Sequence, residues 1–116
     1  MITTHILDLS KGKPAKGVLV ELWRETSENH YEFMNDSHTN EDGRIPSPLV
    51  QGEAMKKGIY ELRFYVAEYY RSEGALLEDN AFLDCVPVRF RISGPGSHYH
   101  IPLLLSPGGY STYRGS

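Results

Sequence analysis

Cysteine is almost missing from the sequence. The chain of 116 residues contains one, Cys85, which excludes an internal disulfide framework and any cysteine-rich zinc site. Long apolar stretches are also missing: no run approaches the ~18 residues needed for a membrane-spanning helix. Basic charge is in deficit, with 12 Lys and Arg against 15 Asp and Glu and a formal net charge of −3. Proteins that grip nucleic acid through its phosphates carry a basic surplus, so neither a nucleic-acid nor a membrane partner is expected. The first residues, Met1-Ile2-Thr3-Thr4-His5, lack the charged and apolar regions of an export signal, and the final Arg114-Gly115-Ser116 is not the peroxisomal Ser-Lys-Leu address. A cytoplasmic location is expected. The one glycine-rich turn, Gly94-Pro95-Gly96, has neither the spacing nor the strand-to-helix context of a phosphate loop, and no nucleophile elbow is visible.

What the chain does have is a period of two. Its length suits one domain, expected to span residues 1–116. From Thr3 to Leu9, the residues Thr3, His5 and Leu7 share one face and Thr4, Ile6 and Asp8 the other. Val18, Val20 and Leu22 form a buried face, and polar His30–Thr39 reads as an edge strand. Lys11–Pro14 and Asp42-Gly43 read as turns, and Ile45–Leu49 as extended loop. Alternation resumes over Ile59–Val66, then over Val86, Val88, Phe90 and Ile92, where Pro87 points to an edge position, and again over His98–Leu105. Tyr110–Tyr113 makes a last short strand. Ala67–Glu73 lacks Pro and Gly and closes at Gly74, which predicts a helix of about two turns. About seven strands and one short helix predict an all-β sandwich of two antiparallel sheets, with a partly open barrel as the alternative.

Chemistry concentrates at the histidines. His98 and His100 lie two apart on a strand, so both rings face one way, and His5 sits in a strand that can lie beside them. A metal site, acid–base chemistry near neutral pH and two solvent-exposed strand histidines all remain open on this pattern, although one His-x-His pair supplies only two ligands. Arg44 follows the Asp42-Gly43 turn, either as a surface charge or as a planar fork for paired oxygens. The terminal Tyr113-Arg114-Gly115-Ser116 is either a frayed tail or packs into the fold; Arg114 suits an anion, and Ser116 carries a hydroxyl and the α-carboxylate. Cys85 reads as a small core residue, and Tyr65, Tyr69 and Tyr70 as packing.

Four stretches together resemble the 5-hydroxyisourate hydrolases, the transthyretin-related enzymes of urate breakdown. They are Thr3-Thr4-His5-Ile6-Leu7-Asp8 with Gly12-Lys13-Pro14-Ala15; Thr39-Asn40-Glu41-Asp42-Gly43-Arg44; Phe82-Leu83-Asp84; and His98-Tyr99-His100-Ile101-Pro102-Leu103-Leu104-Leu105-Ser106-Pro107 running to Tyr110-Ser111-Thr112-Tyr113-Arg114-Gly115-Ser116. The terminal Tyr-Arg-Gly-Ser is the most specific, because true transthyretins continue past it and lack it. Gly108-Gly109 departs from the pattern, which has a bulkier first residue there.

The resemblance implies a transthyretin-like (prealbumin-like) sandwich assembled as a homotetramer, a dimer of dimers with active sites at the dimer–dimer interface. It implies hydrolysis of the N1–C6 amide of 5-hydroxyisourate to 2-oxo-4-hydroxy-4-carboxy-5-ureidoimidazoline, with no metal and no cofactor. It makes His5, Arg44, His100 and Ser116 catalytic, and adds His98, Tyr113 and Arg114 as substrate contacts. One of His5 and His100 activates water and the other supplies a proton or a hydrogen bond. Two competing readings are a carrier for a small aromatic hormone, which the polar His5, Arg44 and His100 disfavour, and a sandwich module that only mediates interaction.

Overall fold

The computed structural model describes residues 1–74 and 81–115. Its strands are β1 (Ile2–Asp8), β2 (Lys13–Pro14), β3 (Leu19–Ser27), β4 (His30–His38), β5 (Gly58–Phe64), β6 (Val86–Ile92), β7 (Tyr99–Ser106) and β8 (Gly109–Thr112), with one helix, α1 (Val66–Ser72). They form two four-stranded sheets, ordered β2-β1-β7-β8 and β4-β3-β5-β6. The expected sandwich is present, but one pair runs the other way: β1 lies parallel to β7, from Ile2 opposite Tyr99 to Asp8 opposite Leu105. The remaining pairs are antiparallel.

Alternation in the strands becomes alternation of burial. Along β1, Ile2, Thr4, Ile6 and Asp8 are buried and Thr3, His5 and Leu7 are half-buried on the outer face. On β7, Tyr99, Ile101, Leu103 and Leu105 turn inward. They meet Val20 and Leu22 of β3 and Tyr60, Leu62 and Phe64 of β5, all fully buried, to fill the space between the sheets. Each large aliphatic side chain removed from water contributes about 1.5–3 kcal/mol, which makes this face assignment expensive to reverse. As expected, β4 and β6 are edge strands, and β6 carries Pro87.

Two local expectations change. Lys13 and Pro14 do not belong to the turn but pair with Asp8 and Leu7, because the turn closes earlier, at Gly12, whose φ is +65°. Val66 is not the last residue of β5. The ladder ends at Phe64, and Val66 opens α1, where the spacing of Val66, Tyr69 and Tyr70 places all three on the buried side. The helix closes as predicted at Gly74, with φ +73°. Among the described residues no helix is long and apolar enough to cross a membrane.

The buried carboxylate Asp8 fastens the end of β1 to this helix. Its Oδ1 accepts from the Ser10 backbone N–H at 3.0 Å, the Ser10 hydroxyl at 2.5 Å and the Tyr70 hydroxyl at 3.3 Å. Its Oδ2 accepts from the Tyr69 hydroxyl at 2.7 Å. Burial pushes the carboxyl upward, but these hydrogen bonds outweigh it and hold Asp8 below the usual carboxylate value of 3.8. The same contact, together with burial, raises both phenols, Tyr70 to about 12.

Replacing this carboxylate strands two buried hydroxyls, so Asp8→Ala is expected to destabilise the fold by about 3 kcal/mol near neutral pH. Because the folded value is depressed, Asp8 contributes fully above 3.8 and loses its contribution as pH falls through the lower folded value. Urea unfolding of parent and variant across pH checks both points: the gap should be wide at pH 7 and narrow in strong acid.

Candidate active site

The outer faces of β1 and β7 form the floor of an open cleft of about 550 Å³. Thr3, His5 and Leu7 line it from β1, and His100, Pro102 and Leu104 from β7. Parallel pairing puts Thr3 opposite His100 and His5 opposite Pro102, so the odd residues of one strand and the even residues of the other share a face. His98, Arg44, Tyr113 and Gly115 complete the wall.

Arg44 reaches the cleft through a backbone bridge to His5. The turn before it is fastened by Asn40, whose Oδ1 accepts from the N–H of Asp42 at 2.9 Å and of Arg44 at 3.1 Å, while its own N–H donates to Arg44 O at 2.8 Å. Ile6 N–H then donates to Gly43 O at 2.8 Å. Gly43 has φ +73°, and a Cβ there would stand 2.4 Å from Ile6 O, so only glycine lets the turn lie this close to β1. Gly115 repeats the device at the other wall. Its N–H donates to His100 O at 2.7 Å, and a Cβ would stand 2.8 Å from His100 Cδ2.

Among the described residues no carboxylate side chain lines the cleft, and Arg44 has no ion-pair partner. Burial, and then the Arg44 guanidinium, lower the pKa of His5 below 6.5, against a hydrogen bond from the ring to the Asp42 backbone and the charge of the Asp42 carboxylate. Burial, then Arg44, His5 and His98, lower that of His100. Both shifts favour the neutral ring at pH 7, which has a lone pair available to accept a proton. Thr3 Oγ1 lies between two rings, 2.8 Å from His100 Nδ1 and 3.3 Å from His98 Nε2. Among the described residues no group of three or more His, Cys, Asp and Glu side chains is disposed to hold a metal ion.

The structure thus brings His5, Arg44, His98, His100 and Tyr113 to one cleft. Arg114 is not among them. Its guanidinium stacks 4.2 Å from the Tyr99 ring centroid, donates to His98 O at 3.3 Å and borders a second hollow, which Tyr113 also lines, with Val88, Phe90 and Ile101. Ser116 lies outside the described residues. Sequence reasoning gave no role to Thr3, Asn40 or Gly115 and read Gly43 only as a turn residue. Thr3 was findable, since it lies two before His5 on the same strand face; the other three act through close contacts that only the fold reveals.

Removing the guanidinium should relax the two depressed rings. In an NMR titration His5 and His100 are expected to titrate below 6.5, and both midpoints are expected to rise in Arg44→Ala. Unmoved midpoints would separate Arg44 from the rings.

Relatives of the chain are consistent with this geometry. A profile of the HIUase/Transthyretin family matches residues 2–115. A 5-hydroxyisourate hydrolase from Halalkalibacterium halodurans is 50% identical over 115 residues, covering 99% of this chain and 97% of that protein. Among solved structures, a 5-hydroxyisourate hydrolase from Klebsiella pneumoniae superposes with a TM-score of 0.77 at 34% identity, over 99% of this chain and 97% of its own. An (S)-allantoin synthase superposes with a TM-score of 0.89 at 39% identity over 99% of this chain, which spans only 43% of that longer protein. With its sandwich, its histidine-lined cleft and a match running nearly end to end, the chain belongs to the HIUase/Transthyretin family.

Proposed function

We propose that this protein is a 5-hydroxyisourate hydrolase, opening the N1–C6 amide of its substrate to give 2-oxo-4-hydroxy-4-carboxy-5-ureidoimidazoline. The observation that carries the reading is the convergence of two imidazoles, His5 and His100, and a guanidinium, Arg44, that has no ion-pair partner among the described residues, on one cleft. Full-length relatives that bear the hydrolase name support the substrate. On this reading residues 1–116 are a single catalytic domain working in the cytoplasm.

Cyclic amide hydrolysis needs a deprotonated water, a donor for the oxyanion and a proton for the leaving nitrogen. One imidazole takes a proton from water as the oxygen bonds to C6. Arg44 donates to the C6 oxygen as negative charge builds there, where a water-excluded site makes such donors most effective. The N1–C6 bond then breaks and N1 takes the proton, leaving a carboxyl group at former C6 and a ureido group at former N1. His5 and His100 divide base and acid between them. Ser116, which follows the Gly115 that bridges to His100, offers a hydroxyl and the α-carboxylate to substrate or water.

The cleft is open on one protomer, and its floor carries apolar Leu7, Pro102 and Leu104 beside the polar groups. A second copy laid across this face excludes water from the reacting atoms, which supports the homotetramer with sites at the dimer–dimer interface.

Turnover is measured as loss of 5-hydroxyisourate absorbance over its spontaneous decay, with freshly generated substrate. His100→Ala should lower kcat by roughly 10²-fold or more, and Arg44→Ala by a factor of about 10²–10³. Near-parental rates in both variants, or a parent no faster than spontaneous decay, would refute the assignment. A C-terminal extension should impair activity while light scattering still reports four subunits; a fully active extended tetramer counts against Ser116.

A further inference from the structure

Within the hydrolase reading, on which this inference rests, we infer that Thr3 is the positioning residue of His100: its hydroxyl holds the imidazole as the Nδ1–H tautomer and leaves Nε2 free for water.

The geometry is a three-member chain across the β1–β7 pair. Thr3 and His100 are direct strand partners, and Thr3 Oγ1 lies 2.8 Å from His100 Nδ1 and 3.3 Å from His98 Nε2. A hydroxyl has one hydrogen, so it can donate to only one of the two rings. When Thr3 donates to the exposed His98, His100 must donate Nδ1–H to Thr3. That direction is the one a proton-accepting His100 can keep. Once Nε2 takes a proton from water, Nδ1–H already points at an acceptor, and the contact becomes a charge-assisted hydrogen bond to the imidazolium. The reverse direction presents a bare Nδ1 to the Thr3 hydroxyl, and the hydroxyl has to turn round before His100 can become an imidazolium. The shorter of the two contacts is the one to His100, as expected where the hydrogen bond must hold in both protonation states.

No other described group competes for this role. His98 lies just before β7, His5 comes from β1 and Arg44 from the turn; Arg44, and either neighbouring ring when protonated, disfavour a proton on His100. The Met1 ammonium at the rim donates to Ser97 O at 2.5 Å. Among the described residues the hydrogen bond to the His100 ring is the one at Nδ1, and Gly115 closes against the ring at Cδ2. The side chain most able to fix which nitrogen carries the proton is therefore uncharged. A carboxylate in its place would set an opposite charge directly against the His100 ring and raise its pKa.

The test compares the parent with Thr3→Val, which keeps the shape and strand preference but removes the hydroxyl, and with Thr3→Ser, which restores it. Thr3→Val should lower kcat about tenfold, the equivalent of one hydrogen bond, with KM within about twofold, while Thr3→Ser stays within about threefold of the parent. The acid limb of kcat should move to lower pH in Thr3→Val by about 0.5–1 unit, since the imidazolium loses an acceptor. A purely structural residue leaves that limb in place. Nitrogen-15 NMR of the ring supplies a readout that needs no turnover: His100 in the folded parent should be the Nδ1–H tautomer, and Thr3→Val should shift it to a mixture. An Nε2–H tautomer in the parent, or Thr3→Val with parental kcat and an unmoved limb, overturns the inference. Should the parent fail to turn over 5-hydroxyisourate, the functional reading falls, and the ring spectrum still decides the role of Thr3.

Discussion

The parallel pairing of β1 with β7 is the constraint on which the rest depends. It joins the first strand to one that begins almost a hundred residues later. Its register sets which side chains face outward together: a slip by one residue would turn Thr3 and His5 into the core and expose Ile2 and Ile6. Two large aliphatic side chains exposed at about 2 kcal/mol each, with two polar groups buried, make the slipped state untenable. The same hydrophobic burial that stabilises the sandwich therefore aligns the polar groups of the cleft. Asp8, at the far end of β1, adds a polar lock by tying that strand to Tyr69 and Tyr70 of the helix.

Bringing Arg44, His5 and His100 together is unfavourable in itself. The guanidinium repels any proton placed on either ring, and burial of the imidazoles adds to the penalty. Among the described residues the fold holds the cluster through backbone contacts and the Asn40 side chain rather than by an ion pair to Arg44. Gly43 and Gly115 let main chain approach strands more closely than a Cβ allows, and Asn40 closes the turn that delivers Arg44. A carboxylate would relieve the repulsion, but it would also raise the imidazole pKa values and occupy the donor that a developing oxyanion needs.

Much of this was legible in the residues and some was not. Period-two alternation assigned faces to β1, β3 and β7 correctly, because side-chain direction in an extended chain is local geometry. The same geometry makes Thr3, His5 and Leu7 a set. Strand partners are a different matter: alternation says which face a residue occupies, not which distant strand lies beside it, so a parallel neighbour inside an otherwise antiparallel sandwich left no trace. Val66 kept the alternating pattern and still became helix, since both conformations bury it. Arg114 was grouped with the cleft because its neighbours resemble a motif; its guanidinium lies against the Tyr99 ring and lines a second hollow, which Tyr113 borders as well. The turn before Arg44 was recognisable from Asp42-Gly43, but its distance from β1 was not, being set by one carbonyl of Ile6.

The bridge between His100 and Gly115 has a consequence for the order of folding. It is built on β7, whose pairing with β1 closes a loop of almost a hundred residues, a slow kind of contact for a chain to find. Until that pairing forms, β1 has one edge unpaired and its Ile2 and Ile6 uncovered, the kind of surface that invites aggregation or a chaperone. The second sheet joins strands much nearer in sequence, so its assembly should come first and the cleft should be among the last features to take shape.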